Sequence, residues 1–103
     1  MTDNSDQNET IRVRLPKEGE VLGQVIEMLG NRMLLVRCTD GVTRKVRISG
    51  KHRYRMWVNR GDVIALTPHY GMQPDRGTMV YRYKKRGKKL LYKRNLIPEE
   101  YVF

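Results

Sequence analysis

The chain has 103 residues, 39% of them hydrophobic, which suits one domain with a small core. Lys and Arg number 21 against 11 Asp and Glu, and this formal charge of +10 predicts an anionic partner, either nucleic acid or an acidic membrane surface. The single cysteine excludes an internal disulfide, the apolar runs are too short to span a bilayer, and no signal-peptide pattern is present, so we expect a soluble cytoplasmic protein.

The first residues carry little that could be buried. Residues 1–10 are polar and net acidic, with no large apolar residue after Met1, so burial cannot offset the entropy of ordering them. Residues 11–17 then change sign and carry three cations. We therefore expect residues 1–18 to form a flexible, disordered N-terminal tail.

Two strands joined by a tight turn are predicted next. Glu20–Leu29 is rich in Val, Ile and Leu, and the pair Gly30-Asn31 that follows it is typical of a turn. The second strand spans Arg32–Cys38. Gly23 interrupts the first strand and indicates a bulge or sharp bend, as a strand needs where it passes between two halves of a small barrel.

A hairpin leads to the third predicted strand, Val42–Ile48. The pair Asp40-Gly41 before it is a strong short-range hairpin signal. Alternation along this strand directs two apolar side chains inward and two cations outward, namely Val46, Ile48, Lys45 and Arg47. The outward cations predict a basic sheet surface.

The remaining elements are one irregular stretch, two strands and a helix. Ser49–Trp57 breaks the alternation and suits a loop with one or two helical turns. The fourth and fifth strands are predicted at Val63–Thr67 and Thr78–Tyr83. Lys84–Arg94 predicts a short basic helix, and residues 99–103 are expected to be a loose tail.

Five short strands with a helical connection between the third and the fourth are typical of an OB-fold, an all-β barrel. An SH3-like barrel also has five strands, but the longer insert between strands 3 and 4 favours the OB-fold. The chain then divides into a flexible tail (1–18), an OB-fold RNA-binding domain (19–83) and a C-terminal basic helix with its tail (84–103).

The cations are concentrated rather than spread along the chain. Eighteen of the 21 lie in two windows, residues 32–61 and 76–94. Residues 50–57 interleave cations with Tyr54 and Trp57, a combination that suits phosphates and bases of RNA. Trp57 is equally well explained as part of the core.

The sequence contains no recognisable active site. His52 lacks a carboxylate neighbour and is interpreted as a polar RNA contact, His69 as structural, and Cys38 as a small buried hydrophobe. No nucleophile with a base, phosphate-binding glycine loop or carboxylate pair can be assembled, and the histidines and cysteine lack zinc-ligand spacing. We expect no enzyme activity, metal site or cofactor.

Several short motifs within residues 11–83 occur in a specific order. They are Gly30-Asn31-Arg32, Asp40-Gly41, Arg47-Ile48-Ser49-Gly50-Lys51 with Arg53, Arg55 and Trp57, and Gly61-Asp62-Val63. With these motifs, residues 11–83 resemble archaeal translation initiation factor 1A, and are similar to the eukaryotic factor of that name and to bacterial initiation factor one. A single OB barrel with this order of motifs is a specific match.

The resemblance implies a factor that binds ribosomal RNA at the decoding (A) site of the small ribosomal subunit, and that promotes initiation-complex formation and initiator tRNA placement. Its implied partners are this rRNA, other initiation factors and initiator tRNA, with no membrane, and the chain is expected to act as a monomer. The RNA-binding residues that the resemblance implies are Asn31, Arg32, Arg44, Arg47, Lys51, Arg53, Arg55, Trp57 and Arg82. His52, interpreted above as a polar RNA contact, completes the predicted set, although the family usually has a denser basic run at this position.

An alternative function is that of a cold-shock-like chaperone of single-stranded RNA or DNA. Such a protein has the same fold and charge, but normally displays several aromatic side chains on strands 2 and 3. The outward positions predicted on those strands carry Met, Leu, Arg and Lys, which favours contact with structured rRNA.

Overall fold

Five strands close into a barrel. The structure is a computed structural model that describes residues 14–48, 58–69, 71 and 73–102. Its strands are β1 (Val21–Gly30), β2 (Met33–Cys38), β3 (Thr43–Arg47), β4 (Val63–Pro68) and β5 (Arg76–Tyr83). Their order around the barrel is β1-β2-β3-β5-β4, and β1 closes it by pairing with β4. The predicted five-stranded, OB-fold-like barrel is confirmed, with strand ends within two residues of those expected.

Two predicted features lie outside the described residues. These are the helical turns expected between strands 3 and 4 (residues 49–57) and residues 1–13 of the expected N-terminal tail.

Gly23 lies where β1 pairs with a neighbouring strand on each of its two edges. It pairs with Cys38 of β2 and with Ile64 of β4. A Cβ atom on Gly23 would lie 2.5 Å from Cγ1 of Val36 and 3.0 Å from the carbonyl oxygen of Arg37. The glycine is therefore required by close approach of β2 and not by a bulge, because the register shifts of β1 occur further along, between residues 25 and 27 and between 28 and 30.

The barrel interior is filled from alternate positions of each strand. Leu34 and Val46, paired across β2 and β3, are both 0% exposed. The interior cluster consists of Val25, Leu34, Val36, Cys38, Val46, Val58, Ile64, Leu66 and Met79. Full burial of an aliphatic side chain of this size contributes roughly 1.5–3 kcal/mol, so this cluster is the main source of stability in the barrel. Cys38 is a buried free thiol here, as the sequence predicted.

One helix, α1 (Lys85–Lys93), follows β5, as the sequence predicted. It is built from good helix formers, apart from Gly87, which lies directly over the ring of Tyr83. Its end has the two hydrogen bonds of a Schellman motif, from the N–H of Asn95 to the carbonyl of Tyr92 and from the N–H of Leu96 to that of Leu91, each 2.9 Å long. The left-handed Asn95 (φ 61°) then turns the chain back towards the barrel.

The C-terminal segment builds a second apolar cluster on the outer side of the barrel. Leu91 of α1 and Ile97 pack against outward-facing side chains of β1, β4 and β5, and Tyr101 in a 3₁₀ turn (Glu99–Tyr101) joins them. Tyr101 is 3% exposed and its hydroxyl donates a hydrogen bond to the carbonyl of Arg37 at 3.0 Å. The expectation of a loose tail is therefore wrong for residues 99–102, because this aromatic ring has an apolar surface to cover.

A short segment before β1 is also held on the barrel. Both guanidinium NH₂ groups of Arg14 donate to the carboxylate of Glu20, at 2.8 and 2.6 Å, and the hydroxyl of Tyr83 donates to the carbonyl of Arg14. Hydrogen bonding from Arg14 lowers the pKa of Glu20, while burial raises the pKa of Tyr83 to about 12. Residues 14–18 were assigned from sequence to the flexible tail. In the structure, Arg14 at the start of this segment contacts both Glu20 and Tyr83 of β5.

Candidate nucleic-acid interface

The outer side of β2 and β3 carries alternating apolar and cationic residues. Leu35 of β2 pairs with Lys45 of β3, and Met33 pairs with Arg47. Lys45 and Arg47 are exposed, whereas Met33 and Leu35 are partly buried between them. This arrangement follows from the period-2 alternation of β3, which sends Val46 into the core and its neighbours to solvent.

The parallel pairing of β3 with β5 extends this surface. Lys45 lies opposite Arg76, and Arg47 lies opposite Thr78. Arg37, exposed on β2, adds a fourth cation. We call the four cations Arg37, Lys45, Arg47 and Arg76 the basic face. The salt bridges found within the described residues join other cations to carboxylates, so the basic face keeps its positive charge available.

The turn between β1 and β2 adjoins the basic face. Gly30 pairs with Met33, so Asn31 and Arg32 form a two-residue hairpin loop, and both have positive φ (51° and 59°) as in a type I′ turn. Asn tolerates this conformation, but Arg seldom adopts it. The carbonyl of Arg32 accepts a 2.9 Å hydrogen bond from the N–H of Ile48, which fixes the turn against the end of β3. Both predicted contact residues are exposed there.

Arg44 has a different environment from the other predicted contacts. It is only 3% exposed, and its guanidinium donates two hydrogen bonds to the Asp40 carboxylate, at 3.1 and 3.0 Å, and one to the carbonyl of Pro74 at 2.9 Å. Burial alone would raise the pKa of Asp40, but hydrogen bonds from Arg44 and the N–H of Val42 hold it below its usual value. Arg44 therefore ties the β2–β3 turn to the loop before β5, and its donors are not directed at solvent.

Arg82 is likewise engaged within the protein. Its guanidinium lies 3.7 Å from the carboxylate of Asp62, and its side chain is 17% exposed.

Of the ten contact residues predicted from the sequence, the structure brings Asn31, Arg32 and Arg47 together at one exposed edge of the barrel.

The other five predicted contacts lie outside the described residues. They are Lys51, His52, Arg53, Arg55 and Trp57. Their assignment stays a prediction.

Three cations of the basic face were missing from the predicted set. Alternation had placed Arg37 and Lys45 on the outward side with Arg47, but the predicted contact set did not include them. Arg76 could not be found in this way, because its place beside Lys45 depends on the parallel pairing of β3 with β5.

The described residues provide neither a metal site nor a stacking platform on this surface. No group of three or more His, Cys, Asp and Glu side chains in the described part of the chain could hold a metal ion. The outward positions of β2 and β3 carry no aromatic side chain. Tyr81 and Tyr83 contact each other edge to face at 4.9 Å, beside the Arg14 segment. Among the described residues, no helix is long and apolar enough to cross a membrane.

Comparison with protein families gives a match over nearly the whole chain. Residues 10–102 match the model of the family described as translation initiation factor 1A / IF-1. Translation initiation factor 1A of Picrophilus torridus is 41% identical over 99 residues, which cover 94% of this chain and 91% of that protein. The factor of the same name from Methanopyrus kandleri is 48% identical over 79 residues, covering 76% of this chain and 70% of that protein.

Solved structures support the same fold at lower identity. The solution structure of bacterial initiation factor one from the Wolbachia endosymbiont of Brugia malayi superposes with a TM-score of 0.51 at 22% identity, covering 70% of this chain and 85% of that one. A crystal structure of YjeQ from Thermotoga maritima gives a TM-score of 0.53 at 21% identity, covering 63% of this chain and 23% of that one.

The family match and the archaeal relatives confirm the resemblance that the sequence motifs indicated. The chain belongs to the translation initiation factor 1A / IF-1 family.

Proposed function

We propose that this protein is a non-enzymatic initiation factor that binds ribosomal RNA at the decoding (A) site of the small ribosomal subunit. The observation that carries the proposal is the basic face, whose cations stand on adjacent strands beside the Asn31-Arg32 turn. Neighbouring strands lie about 4.8 Å apart, so these cations form a dense positive surface on a rigid barrel. Such a surface attracts a polyanion and fixes its orientation.

The composition of this surface favours structured RNA over an unfolded strand. Proteins that bind single strands without sequence preference stack successive bases on aromatic rings. Between the cations, this face carries the partly buried Met33 and Leu35, which suit contact with sugars and base edges in a wide, shallow RNA groove. The cold-shock-like alternative therefore lacks its stacking residues on β2 and β3.

The proposed contact set combines exposed and predicted residues. It consists of Asn31, Arg32, Arg37, Lys45, Arg47 and Arg76 on the barrel, with Lys51, His52, Arg53, Arg55 and Trp57 from the segment before β4. Arg44 and Arg82 hold turns and loops through Asp40 and Asp62 and serve this surface indirectly.

We place the protein in the cytoplasm, as a monomer that acts with other initiation factors. By occupying the decoding site, it would exclude elongator tRNA from that site while initiator tRNA is positioned. Family membership and the absence of a nucleophile with a base in the sequence support a binding role without catalysis.

Co-sedimentation tests the proposal. The protein is centrifuged with purified archaeal small subunits, with large subunits, and with a single-stranded RNA oligonucleotide, at 50 to 200 mM salt. We expect retention by small subunits only, with affinity falling by a few orders of magnitude across this salt range if about five to eight phosphates are neutralised. Equal retention by the oligonucleotide would support the cold-shock-like alternative, and a flat salt response would contradict the electrostatic argument.

A further inference from the structure

His69 follows β4 at the margin of the basic face. Its backbone N–H donates a 2.9 Å hydrogen bond to the carbonyl of Arg76, which fixes its position beside β5. Its imidazole Nε2 lies 2.9 Å from the hydroxyl of Thr78, and the side chain is exposed. An exposed ring held at one nitrogen has its other nitrogen available to a ligand.

The strand register places this ring next to cations on the same outer surface. Thr78 lies opposite Arg47 of β3 and opposite Thr67 of β4. Two residues earlier on both strands, and on the same side of the sheet, Arg76 lies opposite Lys45. Among the described residues, the register thus places Arg47 and Lys45 on β3 and Arg76 on β5 on the same outer side as the ring, with Asp75 in the turn just before β5. Cations predominate on the outer sides of β3 and β5 beside the ring, whereas β4 carries no charged residue.

We propose that His69 contacts a backbone phosphate of the RNA bound on the basic face, and that Thr78 is its positioning residue. The inference rests on the proposed function. A threonine hydroxyl can donate or accept, so Thr78 can hold Nε2 of the neutral ring and also that of the imidazolium. In both forms Nδ1 carries a proton that it can donate to a phosphate oxygen.

Proton uptake distinguishes this contact from a neutral hydrogen bond. A phosphate placed beside the ring favours the imidazolium, since opposite charges attract and a hydrogen bond to a charged group is stronger. The complex therefore takes one proton from solvent onto the ring, and affinity rises as the pH falls through the range of about 8 to 5 in which imidazole becomes charged.

The test measures affinity for purified small subunits by co-sedimentation at pH 8 and pH 6 and constant salt. We expect the wild type to bind about three- to tenfold more tightly at pH 6. His69→Gln can still contact Thr78 but cannot become charged, so its pH response should be clearly smaller than that of the wild type. Thr78→Val should reduce the pH response and Thr78→Ser should restore it, with thermal midpoints confirming that each variant folds.

His52→Gln measures the contribution of the other of the two histidines in the chain, which the proposed contact set includes. A pH response should remain in His52→Gln and should fall further when His69→Gln is added to it. If the wild type binds small subunits but His69→Gln has the same affinity and the same pH response, the inference fails while the proposed function stands. A pH response that His69→Gln keeps in full and His52→Gln loses would overturn it equally, and failure of the wild type to bind would overturn both.

Discussion

The outer side of β4 and the outer side of β3 differ in what covers them. On β4, Val63 and Ala65 point outward and are 0% exposed, because α1 and the segment after it pack over them. On β3, Lys45 and Arg47 point outward and are exposed. Both strands belong to one barrel and share one interior core, so the difference arises outside the barrel, in the path that the chain takes after β5.

In this barrel, different outer surfaces contribute to stability and to binding. A strand that is apolar at every position, such as Val63–Leu66, needs a partner on both of its sides, whereas the alternating β3 needs only the interior. The C-terminal segment supplies that second partner to β4 and leaves β3 open. Substitutions on the two sides should therefore affect different properties and add independently, because distant sites seldom couple.

The largest expected effect is on the covered side. Leu91→Ala removes a fully buried side chain from the outer cluster, and should lower the free energy of unfolding by about 2–5 kcal/mol in urea titrations. Tyr92→Ala, at the adjacent and 42% exposed position, is the control and should cost far less. Equal effects of the two substitutions would mean that α1 does not contribute to stability through this cluster.

The next effect concerns the open side. Lys45→Ala combined with Arg47→Ala should weaken binding to small subunits by about ten- to a hundredfold and lower the salt dependence, with a change in stability of no more than ~0.5 kcal/mol per site. The matched control is Lys85→Ala with Lys89→Ala, which removes the same charge from exposed positions of α1. If the control pair weakens binding as much, net charge and not the basic face determines affinity.

A smaller effect should appear in acid. Hydrogen bonds from Arg14 lower the pKa of Glu20 in the folded protein. The ion pair therefore stabilises the fold fully above pH 4.5, the ordinary pKa of Glu, and this stabilisation is lost as the pH falls through the lower pKa that Glu20 has in the folded protein. Glu20→Gln should cost about 1–2 kcal/mol at pH 7, and the difference from wild type should shrink towards pH 3 in urea titrations. Glu18→Gln, at an exposed position, is the control and should cost far less at pH 7. A difference that is constant with pH would exclude the ion pair as its cause.

The smallest effect should be a gain. Arg32 has φ 59°, which glycine adopts without strain, so Arg32→Gly should raise the free energy of unfolding by up to about 1 kcal/mol while weakening binding several-fold. Asn31→Gly should gain less, because Asn already tolerates this conformation. A loss of stability in Arg32→Gly, measured by thermal unfolding, would show that the arginine side chain supports the turn.

Local pattern predicted most of the fold. Alternation located β2 and β3, the pairs Gly30-Asn31 and Asp40-Gly41 located their turns, and a basic stretch with two leucines located α1. These features depend on residues that are close in sequence, and propensity and turn chemistry act over the same short range.

Features that depend on distant pairing were not accessible in this way. Arg76 joins the basic face only through the parallel register with β3, and Tyr101 is buried only because β4 offers an apolar outer side. Arg44 is a separate case, because alternation places it inward with Val46, yet the family resemblance assigned it to RNA contact. Because Arg44 is buried beside Asp40, a match to a family motif is not enough to make a cation an RNA contact: its strand position must also face outward.

The double pairing of β1 has a consequence for the kinetics of folding. Gly23 pairs with Cys38, which is near in sequence, and with Ile64, which is separated from it by two strands and a long connection. Closure of the longer loop costs more chain entropy, so the β1–β2–β3 meander should form first and β4 should join late. The apolar cluster on the outer side of β4 is then not yet formed in the rate-limiting transition state for folding. We therefore expect Leu91→Ala to refold at nearly the wild-type rate and to unfold faster.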